Sequence, residues 1–311
     1  MQRRSAVEVS IPQLRVFIAV AERGNFTRAA DDLYMTQPSV SAVVAKLEQT
    51  VGQTLFEQIG KRIYLTQAGE TMLDYAKRIV ALSEEAATAL DEGKEVGAGR
   101  LLMGASNTIG IYVLPKAMCG FKRAYPNLRV VVEIGNTAQI IARLLSNQLD
   151  FGLVAGHPEH ADLQTRLFLQ DRLVLILPAS HPKARQCTMT LAELAEEPLI
   201  IRERGATTRT AIEVELARLG LVPKVTMELA SNEAVKMAVA VGLGVSIVSE
   251  LTLAAELALG SVAKLDLTGA QFRRDFYLVQ HKDKYQTRTV REFLDYLVAT
   301  VGAPPNVSAK E

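Results

Sequence analysis

Thr36-Gln37-Pro38-Ser39-Val40-Ser41-Ala42-Val43-Val44-Ala45-Lys46-Leu47 is the stretch on which the fold turns. Thr36 is able to cap a helix, and Pro38 suits a first turn, where its missing N–H costs nothing. Val40, Val43, Val44 and Leu47 recur at helical spacing and mark the apolar face of a helix ending near residue 49. Gln37, Ser39 and Ser41 make its first turn polar. Upstream, Phe26, Ala29, Ala30 and Leu33 form a short amphipathic stretch with Thr27 near its start, and Tyr34-Met35 reads as the turn before Thr36. Earlier still, Leu14, Phe17, Ile18 and Ala21 follow Pro12 and give a helix over about 12–22 that stops at Gly24. A short helix, a tight turn and a helix with a polar first turn is the geometry that inserts side chains into a DNA major groove. The same pattern also describes an ordinary three-helix packing unit. Gln can bond adenine through both ends of its amide, and Ser and Thr reach bases or phosphates, so the residue types suit the first reading.

Leu55 through Leu65 contains two extended pieces around Gly60, with Lys61-Arg62 at the tip. That is a wing whose tip lies on a phosphate backbone, or else a solvated charged hairpin. From Thr66 to about Glu92 the chain lacks proline and keeps one helical pattern. Met72, Ile79 and Ala86 are seven apart, as are Ala76, Ser83 and Leu90, while Tyr75, Leu82 and Ala89 widen the stripe. Such a stripe predicts packing against a partner helix and a neighbouring domain, hence a dimer; an intramolecular core face is the alternative.

A chain of 311 residues suits two or three folding units. With 49% hydrophobic and 22% charged residues it is not disordered. No run of eighteen apolar residues occurs, and Met-Gln-Arg-Arg is not followed by a hydrophobic segment, so neither a membrane span nor a secretory signal is expected and a cytoplasmic location follows. The net charge of +1 gives no argument for nucleic acid, and residues 1–67 carry only eight Lys/Arg against six Asp/Glu. Cys119 and Cys187 lie far apart without ligand spacing and are expected as buried thiols; His157, His160, His181 and His281 form no metal-binding pattern. Gly242-Leu243-Gly244 sits between a helix and a strand, the wrong context for a dinucleotide site. Asp150 reads as a turn or cap. No metal, cofactor or catalysis is expected.

Gly93, Gly97 and Gly99 break the long helix, placing a hinge at 93–99. Beyond it, short apolar strands alternate with helices: Leu101–Ala105, a helix over 109–124, Arg129–Ile134, a helix over 138–147 and Phe151–Val154. A second series runs through Arg172–Leu177, Leu199–Ile201, a helix over 208–219, Val225–Leu229, a helix over 232–241 and Val245–Val248. This alternation predicts a mostly parallel sheet with helices on both faces.

Ala21-Glu22-Arg23-Gly24-Asn25-Phe26-Thr27-Arg28-Ala29-Ala30, Thr36 through Ser41, Leu47-Glu48, Gly52, Leu55-Phe56, Arg62 and Leu65-Thr66-Gln67-Ala68-Gly69 together resemble the N-terminal signature of the LysR-type transcriptional regulators. The later chain is similar to their effector-binding domain, so the resemblance covers nearly all of 11–300. It implies an α/β protein with an N-terminal all-α winged helix-turn-helix over 1–67, a linker dimerisation helix over 68–92 and a C-terminal effector domain over 100–303. That domain is two-lobed, periplasmic-binding-protein-like and Rossmann-like, with lobe 1 at 100–167 and 273–303 and lobe 2 at 168–272. Crossings near 165–172 and 268–275 join the lobes, Phe276–Val279 and a helix over 287–299 return to the first lobe, and 304–311 is a disordered tail. The resemblance further implies a homodimer or homotetramer on a double-stranded DNA operator, activating or repressing, with RNA polymerase as a further partner and a small coinducer. Thr27, Arg28, Thr36, Gln37, Pro38, Ser39 and Ser41 fall where the family approaches bases and backbone, and Lys46, Lys61 and Arg62 are phosphate candidates. Gln58 stands where members commonly carry Arg, which removes one phosphate contact.

In open α/β sheets the ligand crevice lies beyond the carboxyl ends of the strands. The loops there include Ser106-Asn107-Thr108, Asn136-Thr137, Arg202 through Thr208, and Ser231-Asn232. Hydroxyls beside free amides at helix starts favour a small anionic metabolite, although each loop alone is also an ordinary cap. Ser106, Asn107, Thr108, Thr137, Arg202, Gly205, Thr207, Thr208 and Asn232 are therefore the candidates, with Arg202 the preferred charge partner and Arg204 and Arg209 open to surface salt bridges instead. Ile201 through Arg209 resembles the glycine-rich arginine loop of regulators of carbon fixation and of sulfur or nitrogen assimilation, with Ala206-Thr207 replacing the usual Ser-Gly. Two rivals stand beside the regulator: an exported solute-binding protein with a helical adaptor, and a small enzyme turning over substrate at Arg202 or Thr108.

Overall fold

The computed structural model describes residues 8–60, 62–90 and 99–301. Lys61, most of the expected hinge and the expected tail lie outside them. The chain divides into two compact units, Met1–Glu95 with Ala142–Gln148, and Val96–Ile141 with Leu149–Glu311.

The first unit begins with α1 (Ile11–Arg23), α2 (Phe26–Asp32) and α3 (Gln37–Val51). Each helix starts where a side chain satisfies a first-turn amide: Ser10 in a capping box with Gln13, Asn25 accepting from Arg28 N at 3.0 Å, and Thr36 accepting from Ser39 N at 3.4 Å. The antiparallel wing, β1 (Phe56–Ile59) and β2 (Arg62–Leu65), follows, then α4 (Gln67–Leu90). Leu14, Phe17, Leu47, Leu55 and Ala76 form one core cluster, and Val16, Val20, Ala29, Ala30, Val40 and Val44 another. The Glu48 carboxylate accepts from Leu55 N at 2.7 Å and Phe56 N at 3.2 Å, which ties α3 to the wing.

The stripe on α4 parts in two. Ala76 is buried and Met72 packs beside it against α1, so that portion is an intramolecular face. Tyr75, Ile79, Leu82 and Leu90 are exposed. The side chain of Ala89 lies outside the described residues.

The second unit contains β3 (Arg100–Ser106), a π-helical turn (Ile109–Val113) leading into α5 (Leu114–Ala124), β4 (Arg129–Gly135), α6 (Thr137–Leu145) and β5 (Phe151–Ala155). Next come β6 (Leu163–Pro178), β7 (Thr188–Thr190), α7 (Leu191–Glu196), β8 (Leu199–Arg202), α8 (Thr207–Arg218), β9 (Val225–Leu229) and α9 (Asn232–Ala240). Finally there are β10 (Ser246–Ser249), a short 3-10 turn (Glu250–Thr252), α10 (Ala254–Leu259), β11 (Val262–Thr268), β12 (Phe272–His281) and α11 (Arg288–Val301). The main sheet runs β4-β3-β5-β12-β6-β11-β7, with β10 also on β6, while β8 and β9 pair by themselves.

The expected mostly parallel sheet is corrected to a mixed one. β3 is parallel to β4 and β5, but β12 is antiparallel to β5 and β6, and β6 is antiparallel to β10 and β11. The two crossings are the long strands β6 and β12 themselves, paired from Phe272↔Leu173 to His281↔Leu163. A chain that leaves lobe 1 on one strand and returns on its neighbour must run them in opposite directions. Leu101, Met103, Phe151, Phe276 and Phe293 centre the lobe 1 core, and Leu175, Leu199, Ile247 and Leu265 a lobe 2 core.

Cys119 and Cys187 are also corrected: both are exposed free thiols, one on the outer face of α5 and the other in the loop before β7. Asp150 sits at a bend before β5 and does not cap its own segment: its carboxylate reaches across to β3 and accepts from Leu102 N at 2.7 Å. No helix among the described residues is long and apolar enough to cross a membrane.

Candidate functional site

In the first unit, the α3 start is held open as a polar platform. Pro38 supplies no first-turn N–H, and the hydroxyls of Thr36 and Ser39 share a hydrogen bond at 2.8 Å. Gln37 Nε2 donates to Ser41 Oγ at 2.9 Å, which holds its amide along the helix surface. Thr36, Gln37, Pro38 and Ser39 are exposed and Ser41 is half-buried. Thr27, Arg28, Lys46 and Arg62 are exposed as well. Three further cations of this unit are paired: Arg15 with Glu84 at 2.9 Å, Lys77 with Glu22 at 2.9 Å, and Arg23 with Asp32. Gln58 Nε2 donates to Gly60 O at 3.0 Å, so the residue that departs from Arg braces the wing tip.

Sequence reasoning treated Tyr34 only as a turn. It is 98% exposed and holds φ +54°, a left-handed conformation uncommon for a bulky residue. A wholly solvated ring in strained backbone beside α3 extends the exposed face toward α2.

In the second unit, a cleft of about 170 Å³ lies between the lobes. Its lobe 1 wall comes from the ends of β3 and β4, with Ser106, Asn107, Thr108 and Thr137. Its lobe 2 wall comes from the end of β8 and the start of α8, with Arg202, Gly205, Thr207 and Thr208. Asn232 lies behind this wall: Arg202 Nη1 donates to Asn232 Oδ1 at 2.5 Å, and Asn232 Nδ2 to Thr108 Oγ1 at 3.4 Å. Thr137 Oγ1 donates to Ala155 O at 3.0 Å. The Ser106 hydroxyl is buried with no hydrogen-bond partner. Arg209, left open between cleft and surface, pairs with Glu213 at 2.7 Å and Glu228 at 2.5 Å.

The group at the centre of this arrangement was missed in the sequence. Arg274, on β12, donates through Nε to Asp171 Oδ2 at 2.7 Å, through Nη1 to Thr208 Oγ1 at 2.6 Å and through Nη2 to Thr108 Oγ1 at 2.9 Å. One guanidinium thus touches both lobes and both crossing strands. Ser249 Oγ adds a bond to Asp171 Oδ1 at 2.8 Å. Burial pushes the Asp171 carboxyl up and the Arg274 guanidinium down, each against the attraction of the other. The sequence offers only a run of three charged residues between two phenylalanines, Phe272-Arg273-Arg274-Asp275-Phe276, which does not say which arginine faces inward.

A second tie between the lobes lies outside the cleft. Tyr112 Oη bonds to Glu233, and Lys236 Nζ donates to Tyr112 Oη at 3.0 Å and to Thr252 O at 2.9 Å. Both lobes therefore offer one another polar contacts that a change of closure must rearrange.

The sequence profile of the bacterial regulatory helix-turn-helix protein, lysR family, matches residues 11–70, and that of the LysR substrate binding domain matches 94–302. The chain is 38% identical over 290 residues to the HTH-type transcriptional activator CmpR of Synechocystis sp., covering 93% of this chain and 95% of that one. It is 34% identical to the RuBisCO operon transcriptional regulator of Allochromatium vinosum, covering 94% of this chain and 97% of the relative. Among solved structures, the Synechocystis PCC6803 CcmR regulatory domain in complex with 2-PG is 33% identical with a TM-score of 0.60, covering 65% of this chain and 97% of that one. Profiles that together take in the helix-turn-helix and the two-lobed domain, with relatives alike along nearly their whole length, decide the matter: the chain belongs to the LysR family of DNA-binding transcriptional regulators with an effector-binding domain.

Proposed function

We propose that the chain reads operator DNA with the first turn of α3 and changes its action on the promoter when a small anionic metabolite binds between the two lobes. The exposed polar start of α3 carries the DNA half: Gln37 and Ser39 face base edges, while Thr27, Arg28, Lys46 and Arg62 meet backbone. The anion half rests on two guanidinium groups with nearly buried side chains, Arg202 and Arg274, set among threonine hydroxyls in one cleft. The relative bound to 2-PG supports a small-molecule effector at the regulatory domain, and the relative named for the RuBisCO operon favours a target of that kind. The protein acts without turnover, as a population-shift device. The metabolite favours one lobe closure, and that closure alters how DNA-bound subunits are arranged for RNA polymerase.

The test is selection of duplexes from random sequence, repeated with two variants. Gln37→Ala loses discrimination at one base position by about 5- to 100-fold, the range of a paired amide contact. Arg62→Ala weakens selected and random duplexes alike and lowers the salt slope by about one. Unchanged base preference in the Gln37 variant removes that residue from the reader set, and no selected sequence at all ends the proposal.

Dimerisation runs through the exposed face of α4. Tyr75, Ile79 and Leu82 are spaced by four and three, as in a helix–helix seam, and all three are exposed. Leu82→Glu places a charge in that seam and weakens self-association by about tenfold or more, read by light scattering across a dilution series. An unaltered molar mass at every concentration assigns the subunit contact elsewhere.

A further inference from the structure

The cleft holds two guanidinium groups that are almost out of water, and each has one carboxylate. The Arg202 side chain is 9% exposed and that of Arg274 7%. Their carboxylates differ in a way that matters. Asp171 is fully buried on β6 and anchored a second time by Ser249, so it has no route to solvent. Glu203 is the first residue beyond the end of β8, and its side chain is 36% exposed. It grips Arg202 through both oxygens, Nε to Oε2 at 2.7 Å and Nη2 to Oε1 at 2.8 Å. That fork is the arrangement in which arginine binds a free carboxylate or phosphate.

We propose that the Glu203 carboxylate is the resident counter-anion of the cleft, and that an effector's carboxylate or phosphate enters by exchanging with it at the Arg202 guanidinium; this rests on the anion reading given above. Glu203 swings into solvent by side-chain rotation alone, because its backbone N–H stays bonded to Leu229 O at 3.1 Å. The incoming anion then sits against the start of α8. Asn136 and Ser231 cap the neighbouring helices α6 and α9, whereas the residue preceding α8 is Ala206, whose methyl group cannot accept from the first-turn amides. A neutral ligand gains none of this. It would displace the carboxylate and leave Arg202 buried without a counter-charge, so Glu203 sets specificity for anions as well as affinity.

The exchange is connected to the other lobe. Arg202 Nη1 holds Asn232, Asn232 reaches Thr108, and Thr108 also receives Arg274. Re-aiming the Arg202 fork therefore shifts the hydrogen bonds that span the cleft.

Calorimetric titration of the full chain with inorganic phosphate, malonate, 2-PG and glycerol tests this. Glu203→Gln removes the competing charge but keeps the side chain's shape, so each anion that the wild type takes up should bind about three- to tenfold tighter, with glycerol still unbound. Arg202→Gln should lose the anions. Equal or weaker anion binding by Glu203→Gln, with the Arg202 loss intact, overturns the exchange and leaves the anion reading standing. Anion binding that is missing in the wild type, or indifferent to Arg202, overturns both. A second measurement needs no variant. Burial raises the Glu203 carboxyl, but its bonds from Arg202 outweigh that and hold it below the ordinary range. Carboxyl NMR of the wild type should show its titration moving back up on saturation with the anion, and a titration that does not move means that Glu203 stays in the fork and the exchange is wrong.

Discussion

Asp171→Ala lowers the unfolding free energy by about 3–5 kcal/mol, the loss expected when one member of a buried ion pair is removed. The size follows from what is left behind. Arg274 remains 7% exposed on β12, and its guanidinium, bonded to Asp171 Oδ2 at 2.7 Å, would keep the hydroxyls of Thr108, Thr207 and Thr208 and the face of the Phe276 ring at 4.8 Å. The hydroxyls and the ring face offset part of the lost solvation but supply no counter-ion. The double replacement Asp171→Leu with Arg274→Met should recover most of the loss, since it removes both charges and fills the space with apolar atoms. Chemical denaturation of the two proteins checks the pair, followed by a probe in the second unit. A loss below about 1 kcal/mol for Asp171→Ala would show that the guanidinium finds water or another anion, and that the pair does not hold the crossing strands together.

Gly69→Ala abolishes operator binding, by about a hundredfold or more, although Gly69 is not among the residues proposed to meet DNA. It lies in the first turn of α4, and a Cβ there would collide with the Leu55 backbone carbonyl and lie 2.9 Å from Leu65 Cδ2. Leu55 O accepts from Thr66 N at 3.0 Å, and Thr66 Oγ1 accepts from Gly69 N at 3.0 Å, so helix, wing and connecting turn are locked at one point. A flexible side chain would give way; a carbonyl inside a hydrogen-bonded turn does not. Overpacking costs about 1–3 kcal/mol and more against backbone, which is enough to displace the wing that carries Arg62. Electrophoretic shift with the selected duplex, alongside thermal melting, reads both consequences. Wild-type affinity in the alanine variant would mean that α4 can slide and that the wing is positioned by other contacts.

The sequence was most informative where the deciding interactions span a few residues. Thr36 with Pro38, and Gly24 and Gly52 at the ends of α1 and α3, set the helix limits through local caps and turns. Strand ends also announced most of the cleft, because Ser, Thr and Asn at helix starts mark where lobes meet in such sheets: of the residues chosen on that ground, all but Asn232 line it. On α4 the spacing was visible, but which part of the stripe is used internally was not. Ala76 closes on Leu14 and Phe17, far away in the chain, and only that packing leaves Tyr75, Ile79 and Leu82 outward.

Arg274 shows where such reading stops. Antiparallel register sets Asp171 opposite Arg274 and Arg172 opposite Arg273, and the pleat sends the first pair into the cleft while Arg172 and Arg273 face solvent. A slip of one residue would reverse the faces. By itself the sequence determined the three helices, the wing and the polar strand ends, because caps, turns and periodicity act between near neighbours; the two-lobed plan was legible only through the resemblance to the LysR-type family. The tertiary structure alone decided the mixed sheet, the exposed cysteines and the buried pair at the centre of the cleft, because strand register and depth depend on contacts between segments about a hundred residues apart.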